Sequence, residues 1–134
     1  MEFMRIILFL PILTFLSPIN SEINEKKEYG KYSFYSQCLD NALPQRLNNG
    51  LVISCSLEAQ QKLDDLMNKR ISSKGVCNEK YKSYACTLKN SQKKFIQYVN
   101  ASCKENIYGM HYEYCEMMLK KDRLKWLDKS LGIN

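Results

Sequence analysis

Six cysteines that all follow an N-terminal apolar segment limit the folds open to this 134-residue chain more than any other feature. Met1–Arg5 ends in an arginine, residues 6–16 are apolar apart from one proline and one threonine, and small and polar residues follow. This pattern is typical of a cleaved secretory signal. We predict a signal peptide over residues 1–21 and a secreted, extracellular protein. We predict no transmembrane anchor, because spanning a bilayer takes roughly 20 apolar residues.

An even number of cysteines in a small exported domain indicates a disulfide framework. The predicted cleavage site leaves all six in the mature chain: Cys38, Cys55, Cys77, Cys86, Cys103 and Cys115. A domain of this size buries little apolar surface, and each native bridge typically contributes ~2–5 kcal/mol to stability. We therefore predict three disulfides. The intervals between the cysteines fit neither insect odorant-binding proteins, nor saposins, nor secreted phospholipase A2, so the spacing points to no family.

The positions of glycine and proline predict an all-α fold, an irregular bundle of about four helices stapled by three disulfides. The glycines and Pro44 fall between segments with helical spacing of apolar residues. Residues 22–31 are highly charged and predict a flexible segment before a stapled domain over residues 32–134. A first helix is expected over Tyr35–Ala42. The run LVISC at 51–55 fits a short strand or an extended crossing, with Ser56 as N-cap of a second helix over residues 57–71.

The third helix is predicted over residues 78–103, and this disfavours one disulfide. Cys77 and Cys86 would be ~13 Å apart along a continuous helix axis, whereas a bridge needs Cα atoms within about 7 Å. Cys86 is therefore expected to pair with a segment outside its own helix. The other pairings stay open.

The fourth helix, predicted over residues 110–131, carries two opposed apolar stripes. Met117, Leu124 and Leu127 belong to the first stripe, while Tyr112, Leu119 and Trp126 flank Cys115 on the second. The default interpretation is that the first helix covers the second stripe. The alternative is that Tyr112, Leu119 and Trp126 form a partner-binding surface.

His111 and Cys115, one helical turn apart, are the nearest approach to a reactive pair. A structural zinc site needs about four ligands, and the chain has no other histidine. Export also favours oxidation of Cys115 over the thiolate that a metal or a nucleophile requires. The motifs HExxH, GxSxG and GxxxxGK are absent as well. We predict no enzyme activity, no metal and no cofactor.

These features favour a secreted, cysteine-rich helical interaction module, effector-like or host-interacting, with a protein partner. The net charge is +6, yet no run of five like charges marks a nucleic-acid arm, so weak attraction to acidic surfaces is the most that it predicts. One alternative is a carrier of small apolar ligands, whose cavity would be lined by Met67, Phe95, Met110, Met117 and Leu124. Another is a basic membrane-active protein. Asn100 begins the sequon Asn-Ala-Ser and is a candidate glycosylation site.

Overall fold

A computed structural model describes residues 29–42, 47–105 and 110–133 of the chain. Within these ranges the fold is all-α, as predicted, with four α-helices and no strand. The helices are α1 (Phe34–Ala42), α2 (Asn49–Ser72), α3 (Tyr84–Lys104) and α4 (Tyr112–Leu131), and a 3₁₀ turn at Glu79–Tyr81 precedes α3. The predicted signal peptide, Pro44 and most of the predicted flexible segment lie outside the described residues.

α2 and α4 form the centre of the domain and run parallel. Two hydrogen bonds show this direction: Gln60 donates to the backbone carbonyl of Glu113, and Lys120 donates to Asp64. The later residue of α2 thus contacts the later residue of α4. α1 packs on α2, whereas α3 packs mainly on α4 and to a smaller extent on α2. The main core contains seven buried apolar residues: Ala59, Leu63, Met67, Leu88, Met117, Leu124 and Leu127.

A second, smaller cluster surrounds one of the disulfides. Val99 and Cys103 of α3 meet Cys115 of α4, with Leu119 packed against them. The bridge between Cys103 and Cys115 therefore joins the end of α3 to the start of α4 in an interior setting, with Cα atoms 5.6 Å apart. This bridge and the contacts between the two helices make α3 antiparallel to α4.

The other two bridges lie outside this second cluster. Cys38 of α1 pairs with Cys55 of α2, so α1 is covalently held on α2. Cys77 pairs with Cys86, and their Cα atoms are 4.4 Å apart. With these bonds all six cysteines are paired, as predicted.

The bridge between Cys77 and Cys86 corrects the expectation that this pair is disfavoured. The expectation assumed a helix that starts at residue 78, but α3 begins only at Tyr84. Lys82 adopts a left-handed conformation with φ of 43°, and Ser83 then caps α3 through a hydrogen bond from the backbone N–H of Cys86. The chain thus reverses between the two cysteines, which brings them within bonding distance.

α2 starts earlier than the sequence predicted, and LVISC is neither strand nor extended crossing. The N-cap is Asn48, whose Oδ1 accepts a hydrogen bond from the N–H of Leu51 at 2.8 Å. Asparagine is among the strongest N-cap residues. Ser56, the predicted cap, is buried inside the helix, where its hydroxyl donates to the carbonyl of Val52 at 2.7 Å. A serine within a helix commonly satisfies its hydroxyl in this way.

Candidate partner-binding surface

His111 and Cys115 do not form a reactive pair. The sulfur of Cys115 is bonded to Cys103, so it is not a thiolate that could bind a metal or attack a substrate. His111 is the exposed N-cap residue of α4, and its side chain makes no capping hydrogen bond. Across the described ranges, no three His, Cys, Asp or Glu residues come together as a metal site.

The second stripe of α4 is only partly covered, which corrects the default interpretation. Cys115 is buried and Leu119 is half-buried, but Tyr112 and Trp126 are 42% and 48% exposed. The first helix does not cover them, because its disulfide holds it on α2. Tyr35 of α1 instead meets Tyr114, on the other side of α4, with ring centroids 5.1 Å apart. We call Tyr112, Leu119 and Trp126 the outer stripe of α4.

Arg123, one turn before Trp126, is held between two aromatic rings. The centre of its guanidinium lies 4.4 Å from the centroid of Trp126 and 5.4 Å from that of Phe95 on α3. Its Nε donates to Oε1 of Gln92 at 3.2 Å, and its Nη2 donates to Oγ of Ser91 at 2.9 Å. Stacking over aromatic faces and fixed donor geometry are what distinguish arginine from lysine at recognition sites.

Within the described residues, Arg123 forms no ion pair. The described part of the chain places no carboxylate within 4.0 Å of its guanidinium. α3 has no acidic residue along its length and carries Lys89, Lys93, Lys94 and Lys104. Burial lowers the pKa of Arg123 below its usual value, although the group remains charged at any physiological pH. The surface therefore presents a half-buried, oriented cation beside an exposed indole.

A groove of about 940 Å³ lies between α2 and α3. It exists because both helices pack on α4 more than on each other. Ile71, Val76 and Ile96 contribute apolar surface, and Lys89 and Lys93 line it from α3. The groove is open and includes several amide side chains.

The side chains proposed to line a carrier cavity mostly fill the core themselves. Met67, Met117 and Leu124 are at most 3% exposed and pack in one cluster. Phe95 packs against that cluster, and Met110 packs against the second one. The indentation of about 340 Å³ that Met67 and Phe95 border also has charged walls from Asp64, Glu116 and Lys120. The packing gives the carrier alternative no apolar chamber at this position.

Asp128 is a structural site that the sequence reasoning missed. It is only 4% exposed, and it accepts hydrogen bonds from the hydroxyl of Tyr32, from Lys31 and from Arg70. Burial by itself would raise the pKa of Asp128, but these three donors outweigh that effect and hold it at about 2. No local signal marks this aspartate, because its partners lie far away in the sequence.

Asn100 is exposed on α3. Its accessibility fits the predicted glycosylation, which stays a prediction. Among the described helices none is both long and apolar enough to cross a bilayer.

The fold and this surface define a small helical domain stapled by three disulfides, with an aromatic and cationic patch facing solvent. Residues 48–127 match the model of the family described as lysozyme inhibitor LprI, and since they make up more than half of the chain, the protein belongs to this family. The match begins at the cap of α2 and contains α3, most of α4 and Arg123. No curated protein and no solved structure matches the chain significantly.

Membership agrees with the coarser part of the functional prediction. The protein is a helical binding or inhibitor module, and the family is one of inhibitors rather than enzymes. The family's description also names a protein as the target, in line with the predicted protein partner. The disulfides and the family together indicate an extracellular or periplasmic location.

Proposed function

We propose that this protein is an exported inhibitor that binds lysozyme. The observation that carries the proposal is the family match over residues 48–127, which takes in two complete disulfides and most of the main core. In the proposed pathway the segment 1–21 is removed on export and the mature chain folds as its cysteines oxidise. The stapled domain then works outside the cytoplasm, where lysozyme meets the cell wall.

Inhibition by such a module requires only that it occupy the substrate cleft or block its entrance. Lysozymes cleave a glycosidic bond of the polysaccharide with two carboxyl groups, which lie on either side of that bond in the substrate cleft. A rigid protein that fills this cleft excludes the polysaccharide without reacting itself. Its bridges and packed core favour the task, because a preorganised surface loses little conformational entropy on binding.

The outer stripe of α4 is our candidate for the lysozyme-binding surface. Trp, Tyr and Arg are the residues most enriched at binding hot spots, and Tyr112, Trp126 and Arg123 supply one of each. Leu119 adds apolar area between the two exposed aromatic residues. The basic charge of α3 beside them favours an acidic region of the partner.

The direct test uses the oxidised mature protein, residues 22–134, and lysozymes of different structural classes. Lysis of peptidoglycan is followed by turbidity, and binding is measured by calorimetry. We expect dose-dependent inhibition and a one-to-one complex, both abolished when the inhibitor is reduced and alkylated. Absence of both binding and inhibition with every lysozyme class would contradict the proposal.

Trp126→Ala and Tyr112→Ala test the surface separately from the function. Each variant should weaken binding roughly fivefold or more, because hot-spot residues at the centre of an interface contribute over about 1 kcal/mol. Tyr81→Ala is the matched control, since Tyr81 is 71% exposed but lies in the 3₁₀ turn away from α4. Full inhibition by both stripe variants would place the binding surface elsewhere on the molecule.

A further inference from the structure

We propose that Arg123 is the anchor of this inhibitor and binds a catalytic carboxylate in the cleft of lysozyme. The inference rests on the proposed function and deepens it, because it names the contact at which the enzyme is blocked. It comes from the geometry around one guanidinium group, which the family match does not assign.

The guanidinium of Arg123 is fixed in position before any partner arrives. Its central carbon lies over the rings of Trp126 and Phe95, 4.4 and 5.4 Å from their centroids. Two neutral acceptors, Gln92 and Ser91, bind its N–H groups. An arginine side chain has five N–H donors. The two hydrogen bonds use two of them, so three donors remain to bind an anion.

The neutral acceptors leave the positive charge uncompensated. Asp122 precedes Arg123 on α4, but its Oδ1 pairs with Nζ of Lys125 at 3.8 Å rather than with Arg123. α3 contributes no carboxylate. Arg123 is half-buried, and this burial lowers its pKa, so part of its hydration is already lost in the free protein. A carboxylate brought by a partner would therefore gain a charge-assisted hydrogen bond without a further large desolvation penalty on the arginine side.

The chemistry of lysozyme supplies the matching anion. A glycosidase keeps two carboxyl groups at its reaction centre, and at least one of them is ionised in the free enzyme. A planar guanidinium can bind such a carboxylate through two parallel hydrogen bonds, which a lysine ammonium cannot do. Trp126, half-exposed beside Arg123, would lie in the same cleft, where it contributes apolar contact area.

The experiment compares Arg123→Gln and Arg123→Lys with Lys125→Gln. Lys125 is two residues away on the same helix, its side chain is 54% exposed, and its substitution removes the same charge. We expect Arg123→Gln to weaken inhibition about 30-fold or more and Arg123→Lys to restore only a small part. Lys125→Gln should stay within about threefold of the wild type. Thermal unfolding of each variant verifies that it is folded.

A double-mutant cycle with folded Arg123→Gln tests the contact itself, because it separates the loss of this contact from a general weakening of binding. Each catalytic carboxyl group of lysozyme is replaced by its amide, and binding is measured by calorimetry. For one of the two positions, we expect the amide to weaken wild-type binding about tenfold or more and to remove most of the effect of Arg123→Gln. Equal loss on both lysozyme backgrounds would overturn the inference.

The outcomes separate the two proposals. If the wild type inhibits lysozyme and folded Arg123→Gln inhibits equally well, the Arg123 anchor is wrong while the inhibitory function stands. If the wild type neither binds nor inhibits any lysozyme, both proposals are wrong.

Discussion

Arg70 donates a hydrogen bond from Nε to Oδ1 of Asp128 across 2.9 Å, and this contact joins the last turn of α2 to the end of α4. The other oxygen of Asp128 accepts from Lys31 and Tyr32, which precede α1. One buried carboxylate thus ties three parts of the chain together. Asp128 and the segment that carries Lys31 and Tyr32 both lie outside the range matched by the family model.

Acid should weaken the fold through Asp128. Its pKa is 3.8 in the unfolded chain and about 2 in the folded protein, so the folded state binds fewer protons between these values. Stability from this group is complete above about pH 5 and is lost as the pH falls through 4 toward 2, with a total of about 2 kcal/mol. Urea unfolding at about pH 6, 4 and 2.5 measures the loss.

Asp128→Asn identifies the carboxylate responsible. The variant should be less stable than the wild type at about pH 6 by roughly 2 kcal/mol, and the difference should shrink toward zero near pH 2. Asp122→Asn is the matched control, because the side chain of Asp122 is 67% exposed and makes only a long ion pair with Lys125. A wild type and Asp128→Asn with the same pH dependence would show that Asp128 does not have its low pKa.

The two stripes of α4 should differ in their effect on stability. Leu124→Ala removes a side chain with no solvent exposure and should cost about 3 kcal/mol. Trp126→Ala should cost about 1 kcal/mol or less, since the ring is half-exposed and loses mainly its contact with Arg123. Thermal and urea unfolding compare the two variants. A Trp126→Ala variant as unstable as Leu124→Ala would mean that the outer stripe is core rather than surface.

The start of α2 should depend on Asn48. Asn48→Ala removes the side-chain acceptor for the N–H of Leu51 and should lower stability by about 1 kcal/mol. Asn48→Asp keeps the acceptor and should be close to the wild type. Asn49→Ala serves as control, because this neighbour is not the cap. If Ser56 were the true cap, Ser56→Ala rather than Asn48→Ala would shorten the helix measured by circular dichroism.

The disulfides should pair in sequence order, each cysteine with the next one along the chain. Peptide mapping without reduction should recover Cys38 with Cys55, Cys77 with Cys86, and Cys103 with Cys115. Replacing Cys103 and Cys115 by serine should destabilise the protein more than replacing Cys77 and Cys86. The reason is that both members of the first pair are buried in the second core cluster, whereas Cys77 is half-exposed. Any crossed pairing in native material would contradict the fold.

The fold class followed from the sequence because it depends on local and compositional properties. Six cysteines after a predicted export signal imply bridges whatever their partners are. The repeat of apolar residues along a segment indicates a helix without reference to its neighbours. The first stripe of α4 was predictable for the same reason, and Met117, Leu124 and Leu127 are indeed core.

Helix boundaries were predicted less well, because they depend on a few backbone conformations. The left-handed conformation of Lys82 separates Cys77 from α3 and permits the one bridge that helical spacing disfavoured. Lysine rarely adopts a positive φ, so the sequence did not indicate that the chain would reverse at Lys82. At α2, the sequence predicted Ser56 as the cap, but the helix is continuous through that position and begins after Asn48, eight residues earlier.

Tertiary structure alone decided what each helix face meets. Periodicity places Tyr112, Leu119 and Trp126 on one side of α4, but it does not say that α1 packs on α2 and leaves that side open. The hydrogen-bond acceptors of Arg123 lie 31 and 32 residues away, and Arg70 and Tyr32 lie 58 and 96 residues from Asp128. The packing of distant segments therefore decides whether a charged side chain is exposed, held in one orientation or buried in a hydrogen-bond network. The reason is that desolvation and hydrogen bonding act through space rather than along the chain.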